Sequence, residues 1–273
     1  MNLPRYCVLF MMSLFMIIEV YAVSIVSWNI QDLGRTKDDA EIHFIAEVVR
    51  DFDIIAIQEV VAVDPAGAQA VARIAAELNR MGAQWDYAIS APTNSPSSSI
   101  SERYAYIWKT NTVELSVKGT LGLVNKLDAY CDREPFYAQF IVDDVQYDLL
   151  NFHSRPHNRD PQSEIEAISK LIIRNEHTRN WILLGDFNTS EDDQVWNALY
   201  KHSFQSSIVD HKTSLKRECE NGTYLSNAID NIYFNADINT VEKAEVIDIV
   251  MTCERLEQIR EISDHLPVYV KLN

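Results

Sequence analysis

The stretch Trp181-Ile-Leu-Leu-Gly-Asp-Phe-Asn188 joins a run of bulky apolar residues to a turn and two polar side chains. The apolar run predicts a buried strand, and Gly185 allows the backbone to turn at its end. Asp186 and Asn188 are two residues apart, so they project from the same side of an extended backbone. A carboxylate and a carboxamide so placed suit a site where one orients water or metal and the other holds a phosphate or carbonyl oxygen.

The same pattern, an apolar strand that delivers polar residues to one end, recurs along the chain. Residues 24–28 lead to Asn29, residues 53–57 lead to Glu59, and residues 147–152 lead to His153. Near the C-terminus, Asp264 and His265 stand directly before the apolar run 266–272. Strands whose polar residues gather at one end predict the rim of an active site.

The periodicity of the whole chain predicts an α/β protein. Apolar stripes predict helices between Asp38 and Phe52, after Pro65 to about Arg80, after Pro161, and from about Asp192 to Tyr200. Strands are expected near residues 23–30, 53–59, 86–90, 104–109, 113–118, 136–143, 146–153, 181–187, 229–234 and 266–272. Two sheets packed face to face, with helices outside them, satisfy this alternation.

The first 22 residues differ in composition from the rest. Arg5 precedes an apolar run at 8–18, and Val20-Tyr-Ala22 places small residues at the usual cleavage positions. This predicts a signal peptide, too short to span a bilayer comfortably, and a mature catalytic domain of residues 23–273. An uncleaved anchor or a buried N-terminal strand is the alternative. We expect a secreted or periplasmic protein without stable membrane association after cleavage.

Composition allows one large globular core, because the chain has 273 residues, of which 47% are hydrophobic. A net charge of -16 argues against a nucleic-acid partner, which usually selects a basic face. A carboxylate metal site adds negative charge of its own, however, and its cation restores a local positive potential. Two basic clusters are candidates for phosphate contact or for solvated loop charge: Arg155, His157 and Arg159, and His211, Lys212, Lys216 and Arg217.

Three cysteines, Cys131, Cys219 and Cys253, lie outside the predicted signal. One disulfide among them is compatible with export, and the sequence does not choose the pair. None of the three has metal-ligand spacing, so a zinc–thiolate site is not expected.

Glu59 is the strongest metal candidate among the residues at strand ends. A carboxylate that ends a buried apolar strand is costly to desolvate unless a cation or a donor awaits it. An ion pair with an arginine is the alternative. His153 and His265 titrate nearest to neutral pH and suit proton exchange, although a histidine at a strand end is often structural. Asn188 also suits a turn.

Eight short motifs occur in an order that resembles the endonuclease/exonuclease/phosphatase superfamily, most closely its deoxyribonuclease I branch. The resemblance runs from about Val23 to the C-terminus. The motifs are Ser-Trp-Asn (27–29), Ile-Gln-Glu-Val (57–60), Glu-Arg-Tyr (102–104), Arg-Glu-Pro-Phe (133–136), Asn-Phe-His-Ser (151–154), Gly-Asp-Phe-Asn (185–188), Ile-Asp-Asn-Ile (229–232) and Ser-Asp-His-Leu-Pro-Val (263–268). The resemblance implies a four-layer α/β sandwich, with two mixed, largely antiparallel sheets flanked by helices and the site at one edge.

The resemblance also implies a metal site. It makes Glu59 the main ligand of a hard divalent ion, with oxygen ligands from Asn29 and Asp264 and water completing the shell. Such ligands suit Mg²⁺, and Mn²⁺ or Ca²⁺ can substitute or assist.

Further site residues follow from the same resemblance. Asp186 and Asn188 would position the attacking water and hold a non-bridging phosphate oxygen during in-line attack on phosphorus. The remaining catalytic and substrate roles fall to His265 oriented by Asp230, His153 paired with Glu102, and the substrate contacts Arg133 and Arg155. The two histidines take acid, base and phosphate-contact roles, and the branch does not agree on which does which.

Two positions depart from the deoxyribonuclease I branch. That branch commonly carries an arginine two residues after the metal glutamate, where this chain has Val61. It carries a tyrosine two residues before the acid that pairs with histidine, where this chain has Ile100. Both family residues touch the minor groove of DNA, so the resemblance does not extend to groove binding.

The function expected from these residues is an exported, metal-dependent endonuclease, active as a monomer on DNA, with RNA as a further candidate substrate. A phosphodiesterase or phosphatase acting on a phospholipid or inositol phosphate head group is the second hypothesis. A toxin-like binding subunit that keeps the fold without turnover is the third.

Overall fold

The structure is a computed structural model that describes residues 22–116 and 121–273. The predicted signal peptide therefore lies, except for Ala22, outside the described residues, and its cleavage stays a prediction. In the described ranges the helices are α1 (Asp39–Val49), α2 (Ala66–Arg80), α3 (Pro161–Ile173), α4 (Asn197–Tyr200) and α5 (Leu256–Ile262). None of the described helices has the length and apolarity needed to cross a membrane.

Most of the chain between these helices is extended. The strands are β1 (Val23–Leu33), β2 (Ile54–Val61), β3 (Trp85–Ile89), β4 (Glu102–Lys109), β5 (Glu114–Leu115), β6 (Gly122–Leu123), β7 (Phe136–Val142), β8 (Val145–His153), β9 (Trp181–Asp186), β10 (Phe204–Ser206), β11 (Leu215–Glu220), β12 (Thr223–Leu225), β13 (Asp230–Asn235), β14 (Val241–Val246) and β15 (Val268–Leu272).

The strands form two large mixed sheets. The first has the order β14-β15-β1-β2-β4-β3, and the second has the order β10-β13-β9-β8-β7-β5, with β6 also on β7. Only two neighbouring pairs in these described sheets are parallel, β1 with β2 and β8 with β9. The other pairs are antiparallel, as the resemblance implies.

The two sheets pack face to face, and the period of two along each strand assigns its residues to opposite layers. In β1, Ile25 points into the core between the sheets, whereas Val26 and Trp28 pack under the helices on the other face. α1, α2 and α5 cover the first sheet, and α3 and α4 cover the second. The predicted sandwich of two sheets flanked by helices is confirmed.

Local signals explain where the helices begin. Asp38 and Glu41 form a reciprocal capping box at the start of α1, so both residues satisfy otherwise unpaired backbone N–H groups. α3 begins with Pro161 after Asp160, whose carboxylate accepts from the Ser163 N–H at 3.3 Å.

Several peripheral elements were not predicted from the sequence: β6, β10, the hairpin β11–β12, β14 and α5. The strand expected at 113–118 is only two residues long as β5, and residues 117–118 lie outside the described ranges. The disulfide joins Cys219 in β11 to Cys253 in the turn before α5, while Cys131 is a buried free thiol. The disulfide ties the hairpin β11–β12 to the start of α5, two of the elements that were not predicted.

Candidate active site

Strand direction and register bring the predicted residues to one edge of the sandwich. In the parallel pair β8–β9, His153 lies opposite Asp186, and in the antiparallel pair β9–β13, Asp186 lies opposite Asp230. β1 reaches the same edge at Asn29, whose side chain donates across the sheets to Asp186 Oδ2 at 3.1 Å. The two sheets therefore meet at Asp186.

The end of β2 is shaped so that Glu59 leaves the sheet. The β2–β4 register shifts between Ile57 and Val60, and Glu59 takes φ of +60°. This left-handed conformation is uncommon for a residue with a side chain and is concentrated at functional sites. It directs a half-buried carboxylate toward Asn29, whose Nδ2 donates to Glu59 Oε1 at 2.9 Å.

Glycine is required at the end of β9. Gly185 has φ of +140°, and a Cβ there would lie 1.8 Å from the carbonyl oxygen of Phe152. The close approach of β8 and β9 at this point sets the position of Asp186. Asn188, with φ of +48°, turns back so that its N–H donates to Asp186 Oδ1 at 3.0 Å.

His153 forms the first of two buried histidine–carboxylate pairs. Its Nδ1 lies 2.9 Å from Glu102 Oε2, and its Nε2 lies 3.5 Å from Asp186 Oδ2. Arg133 supports this pair: its guanidinium lies 3.6 Å from Glu102 Oε2 and donates to the carbonyl oxygens of His153 and Ser154.

His265 forms the second pair with nearly the same geometry. Its Nδ1 lies 2.9 Å from Asp230 Oδ2, and its Nε2 lies 3.6 Å from Asp186 Oδ2. Two hydroxyls hold this pair. Thr213 Oγ1 donates to Asp230 Oδ2 at 2.7 Å, and Ser263 Oγ accepts from the His265 N–H at 2.9 Å. Asp186 thus faces the Nε2 atoms of both histidines.

The two histidines differ in protonation. Burial, reinforced by the charge of Arg133, lowers the pKa of His153 to about 4. Burial also opposes charge on His265, but the carboxylates of Asp230 and Asp186 outweigh it and raise its pKa well above the ordinary value. Burial raises the pKa of Glu102 to about 7 and raises that of Asp186 as well. At neutral pH, His153 is neutral and His265 is cationic.

The residues predicted to bind metal offer a fitting set of oxygens. Asn29 Nδ2 donates to Glu59 and Asp186, while its Oδ1 is buried and has no hydrogen-bond partner among the described residues. A buried acceptor without a partner is costly unless a cation or water meets it. Ser263 Oγ donates to the Asn29 carbonyl oxygen at 2.6 Å, which places the following residue, Asp264, near Asn29. Oxygen ligands of this kind suit a hard divalent ion.

A second group of possible ligands overlaps this set. One ligand atom each from Asp186, Asp230 and His265 lies within 4.8 Å of the others. In the described structure, however, His265 and Asp230 are bonded to each other at 2.9 Å, so a cation there would compete with that pair. The unpartnered Asn29 Oδ1 favours the set with Glu59.

The two arginines predicted to contact substrate are engaged within the chain. Arg133 is buried and donates to two carbonyl oxygens. Arg155 Nε lies 2.8 Å from Asp132 Oδ1 and 3.2 Å from Glu164 Oε1, and its Nη2 donates to the Tyr130 carbonyl oxygen. These contacts give both arginines a supporting role, and direct contact with substrate stays a prediction.

The structure adds supporting residues that sequence reasoning missed. Thr213 accepts from the Asp230 N–H as well as donating to its carboxylate, and Glu164, fully buried, accepts from the N–H groups of Asp132 and Arg155. Gln58 Nε2 donates to Asn151 Oδ1 at 2.6 Å and joins the two sheets behind the site. Gln58, Asn151 and Ser263 lie inside the motifs that carry the family resemblance, so a search for polar residues beside the predicted site residues would find them. Thr213 and Glu164 carry no such signal.

Comparison with known proteins gives three kinds of match. The model of the Endonuclease/Exonuclease/phosphatase family matches residues 26–265. Deoxyribonuclease-1-like 1 of Cricetulus griseus is 27% identical, with 92% of this chain and 84% of that protein covered. Its counterpart in Bos taurus is 26% identical, with 91% and 80% covered.

Solved structures share the fold at low identity. A mannosyl-6-phosphatase of Bacteroides thetaiotaomicron VPI-5482 has a TM-score of 0.64 at 15% identity, covering 92% of this chain and 99% of that one. D. rerio TDP2 complexed with a single-strand DNA product has a TM-score of 0.61 at 16% identity, with the same coverage. Their substrates differ, so the fold alone does not select one.

Proposed function

Because the chain belongs to the endonuclease/exonuclease/phosphatase family, we propose that it is an exported, metal-dependent endonuclease that cleaves DNA. Membership makes it a hydrolase of phosphoester bonds. The deoxyribonuclease-like relatives support a nucleic-acid substrate, with DNA first and RNA second. The observation that carries the proposal is the Asp186 carboxylate, held between a neutral and a cationic imidazole.

This arrangement suits hydrolysis by an activated water. The water oxygen forms a bond to phosphorus while the bond from phosphorus to the leaving ester oxygen breaks. Asp186 orients the water, and the neutral Nε2 of His153, 3.5 Å from Asp186 Oδ2, accepts its proton. The cationic His265 offers its Nε2–H to the phosphate, where negative charge increases in the transition state.

The expected ion would add to this stabilisation. Asn29, Glu59 and Asp264 would hold a divalent cation, which supplies positive charge to the phosphate oxygens when it is bound. Mg²⁺ fits these hard oxygen ligands, and Mn²⁺ or Ca²⁺ can replace it. The Asn29 Oδ1 atom, which is buried and has no hydrogen-bond partner among the described residues, is the observation that supports this set.

The decisive experiment offers the purified mature protein several phosphoesters. Supercoiled plasmid, RNA, a phospholipid head-group diester and an inositol phosphate are each incubated with Mg²⁺ and with a chelator. We expect nicking of the plasmid that chelator abolishes. Hydrolysis of either small substrate with DNA and RNA intact would replace the nuclease proposal with the phosphodiesterase or phosphatase alternative, and no hydrolysis of any substrate would favour a binding subunit.

Glu59→Gln tests the metal site separately. The substitution keeps the shape of the side chain and removes its charge, so Mg²⁺ affinity by calorimetry and turnover should fall together. Lost activity with an unchanged metal titration would remove Glu59 from the ligand set.

Export is tested by N-terminal sequencing of protein from the periplasm or medium. A start at Val23 supports it, and an intact Met1 species confined to the cytosol contradicts it.

A further inference from the structure

A cleft of about 370 Å³ opens on the His153 side of the site. The buried Glu102 and His153 and the half-buried Glu59 mark its inner end, and residues 61–63 and 98–101, Pro156 and Arg159 contribute to its sides. We call it the His153 cleft. The proposed mechanism gives no role to the outer part of this cleft. The lining there includes apolar side chains and an arginine instead of catalytic carboxylates and histidine.

One side of the outer cleft is apolar. Val61, Ala62, Val63 and Ile100 line it, and Val63 is 74% exposed to solvent. The two positions at which the chain departs from the deoxyribonuclease I branch, Val61 and Ile100, are both in this lining. Apolar side chains beside a charged catalytic centre suit contact with an apolar face of the substrate.

Arg159 is the cation available in the cleft. The lining contains two arginines, and the other, Arg133, is committed to carbonyl oxygens and to Glu102. Arg159 is exposed, and within the described ranges its guanidinium has neither an ion pair nor a side-chain hydrogen bond. Asp132, which also lines the cleft, is paired with Arg155 at 2.8 Å. An unengaged guanidinium suits bidentate recognition of a phosphate.

The size and the lining together select the form of the nucleic acid. A cleft of 370 Å³ is at the lower end of the range for ligand pockets, about 300 to 1,000 Å³, so it takes one nucleotide-sized group. A duplex keeps its base faces stacked inside and presents phosphates and groove edges. An unpaired nucleotide presents a base face, which apolar side chains can contact, beside a phosphate.

We propose that the His153 cleft binds an unpaired nucleotide next to the scissile phosphate, with its base against Val61 and Ile100 and a flanking phosphate on Arg159. The protein then prefers single-stranded nucleic acid, or unpaired segments, over regular duplex. This inference rests on the proposed nuclease function and specifies the substrate of the same site.

The test compares one oligonucleotide sequence in single-stranded form and annealed as a duplex, with bis(p-nitrophenyl) phosphate as a substrate too small to fill the cleft. Wild type should have a kcat/KM at least about tenfold higher for the single strand. Arg159→Ser should raise KM for the single strand by about tenfold and leave the small diester unaffected, because charge-assisted hydrogen bonds to phosphate are the strong ones. Ile100→Ser should reduce the preference for the single strand.

Binding supplies a second readout. In the turnover-deficient Asp186→Asn background, the slope of log Kd against log salt concentration should fall by about 0.7 when Arg159 is replaced, as expected for one lost phosphate contact on a single strand. Arg174→Ser is the matched control, since Arg174 is exposed, lies at the other end of α3 and lines no part of the cleft. It should change neither KM nor the slope.

Different failures have different meanings. Equal or faster cleavage of the duplex by wild type overturns the inference, as does an Arg159→Ser variant that loses activity equally on the small diester. An unchanged salt slope in that variant also overturns the role of Arg159. Hydrolysis of the small diester with both oligonucleotides left intact overturns the proposed nuclease function itself.

Discussion

The two histidine–carboxylate pairs have almost the same shape and different chemistry. In each pair the imidazole Nδ1 lies 2.9 Å from a buried carboxylate oxygen, and Nε2 lies 3.5 or 3.6 Å from Asp186. The Glu102 pair adjoins the guanidinium of Arg133. The Asp230 pair adjoins the hydroxyl of Thr213 and the carboxylate of Asp264, which lies 3.9 Å from His265 Nε2.

This difference shows that the neighbouring charges, rather than the pair geometry, set protonation. Burial disfavours the cation of both imidazoles, and the Arg133 guanidinium disfavours that of His153 further, whereas the carboxylates of Asp230 and Asp186 stabilise the cation of His265. Two imidazoles at nearly equal distances from Asp186 are thereby available for opposite tasks. In the proposed mechanism, one accepts a proton and the other supplies positive charge.

The largest expected effect comes from removing the groups that meet at the centre. Asp186→Asn, His153→Ala and His265→Ala should each reduce kcat for plasmid cleavage by about a hundredfold or more, because proton transfer and positioned charge each contribute factors of this size. His202→Ala is the control, since His202 pairs with Glu176 at the surface. Circular dichroism checks the fold. Near wild-type activity in either active-site histidine variant would make that pair structural and end the comparison.

The two histidine–carboxylate pairs should also have opposite effects on how the free energy of unfolding depends on pH. Because the pKa of His153 is lowered in the folded protein, the unfolded chain takes up this proton at a higher pH than the folded one. The free energy of unfolding therefore decreases as pH falls from about 6.5 to 4. The raised pKa of His265 adds stability that is complete below the unfolded pKa and is lost as pH rises through the folded pKa. The free energy of unfolding of His153→Asn should therefore decrease by about 3 kcal/mol less than that of wild type over this pH range.

Urea unfolding across pH measures this difference. His265→Asn should instead remove stability at neutral pH and flatten the decline on the alkaline side. If the free energies of unfolding of the two variants change with pH in the same way, both histidines have the same charge in the folded state. That result would contradict the difference expected from the charges around them.

Replacing Arg133 should make the pKa values of the two histidines more alike. Burial lowers the pKa of His153 and the charge of Arg133 lowers it further, so in Arg133→Gln that pKa should rise, while the pKa of Glu102 should also rise. Activity should fall by about tenfold, and the loss should be greater at acid pH, where more His153 is charged. NMR titration of the imidazoles gives the pKa values.

Arg133→Lys is the matched variant, because it keeps the charge and loses the forked contacts with the carbonyls of His153 and Ser154. It should leave the pKa of His153 low. A low pKa in the Gln variant as well would mean that burial alone keeps His153 neutral.

Sequence reasoning reached the centre of the site more readily than its surroundings. Strands that end in polar residues predicted that Asn29, Glu59, His153 and Asp186 share one edge, because parallel neighbours bring corresponding ends together. Periodicity does not pair histidines with carboxylates that lie 35 and 51 residues away in the chain. The family resemblance supplied those pairs.

The periphery was harder to predict for a physical reason. β14 is largely exposed and β11 is polar at most positions, so neither shows the apolar alternation that marks a half-buried strand. The partner of Cys219 depends on how the β11 hairpin meets α5, which cysteine spacing does not encode. The protonation of the two histidines was equally hard to predict, since it depends on burial and on Arg133 and Asp230 meeting different histidines in space.

The smallest effect should come from Thr213, which holds Asp230 on the side of the cationic histidine. Thr213→Val removes the hydroxyl that donates to Asp230 Oδ2 at 2.7 Å and accepts from the Ile229 and Asp230 N–H groups at 3.1 and 3.0 Å. One net hydrogen bond contributes about 1 kcal/mol, so kcat should fall by about fivefold. Thr213→Ser keeps the hydroxyl and should retain most of the activity. Of the two histidine–carboxylate pairs, Thr213 contacts only the one with Asp230. The NMR titration of His153 should therefore be unchanged in both variants, and a shift there would show that the two pairs respond as one unit through Asp186.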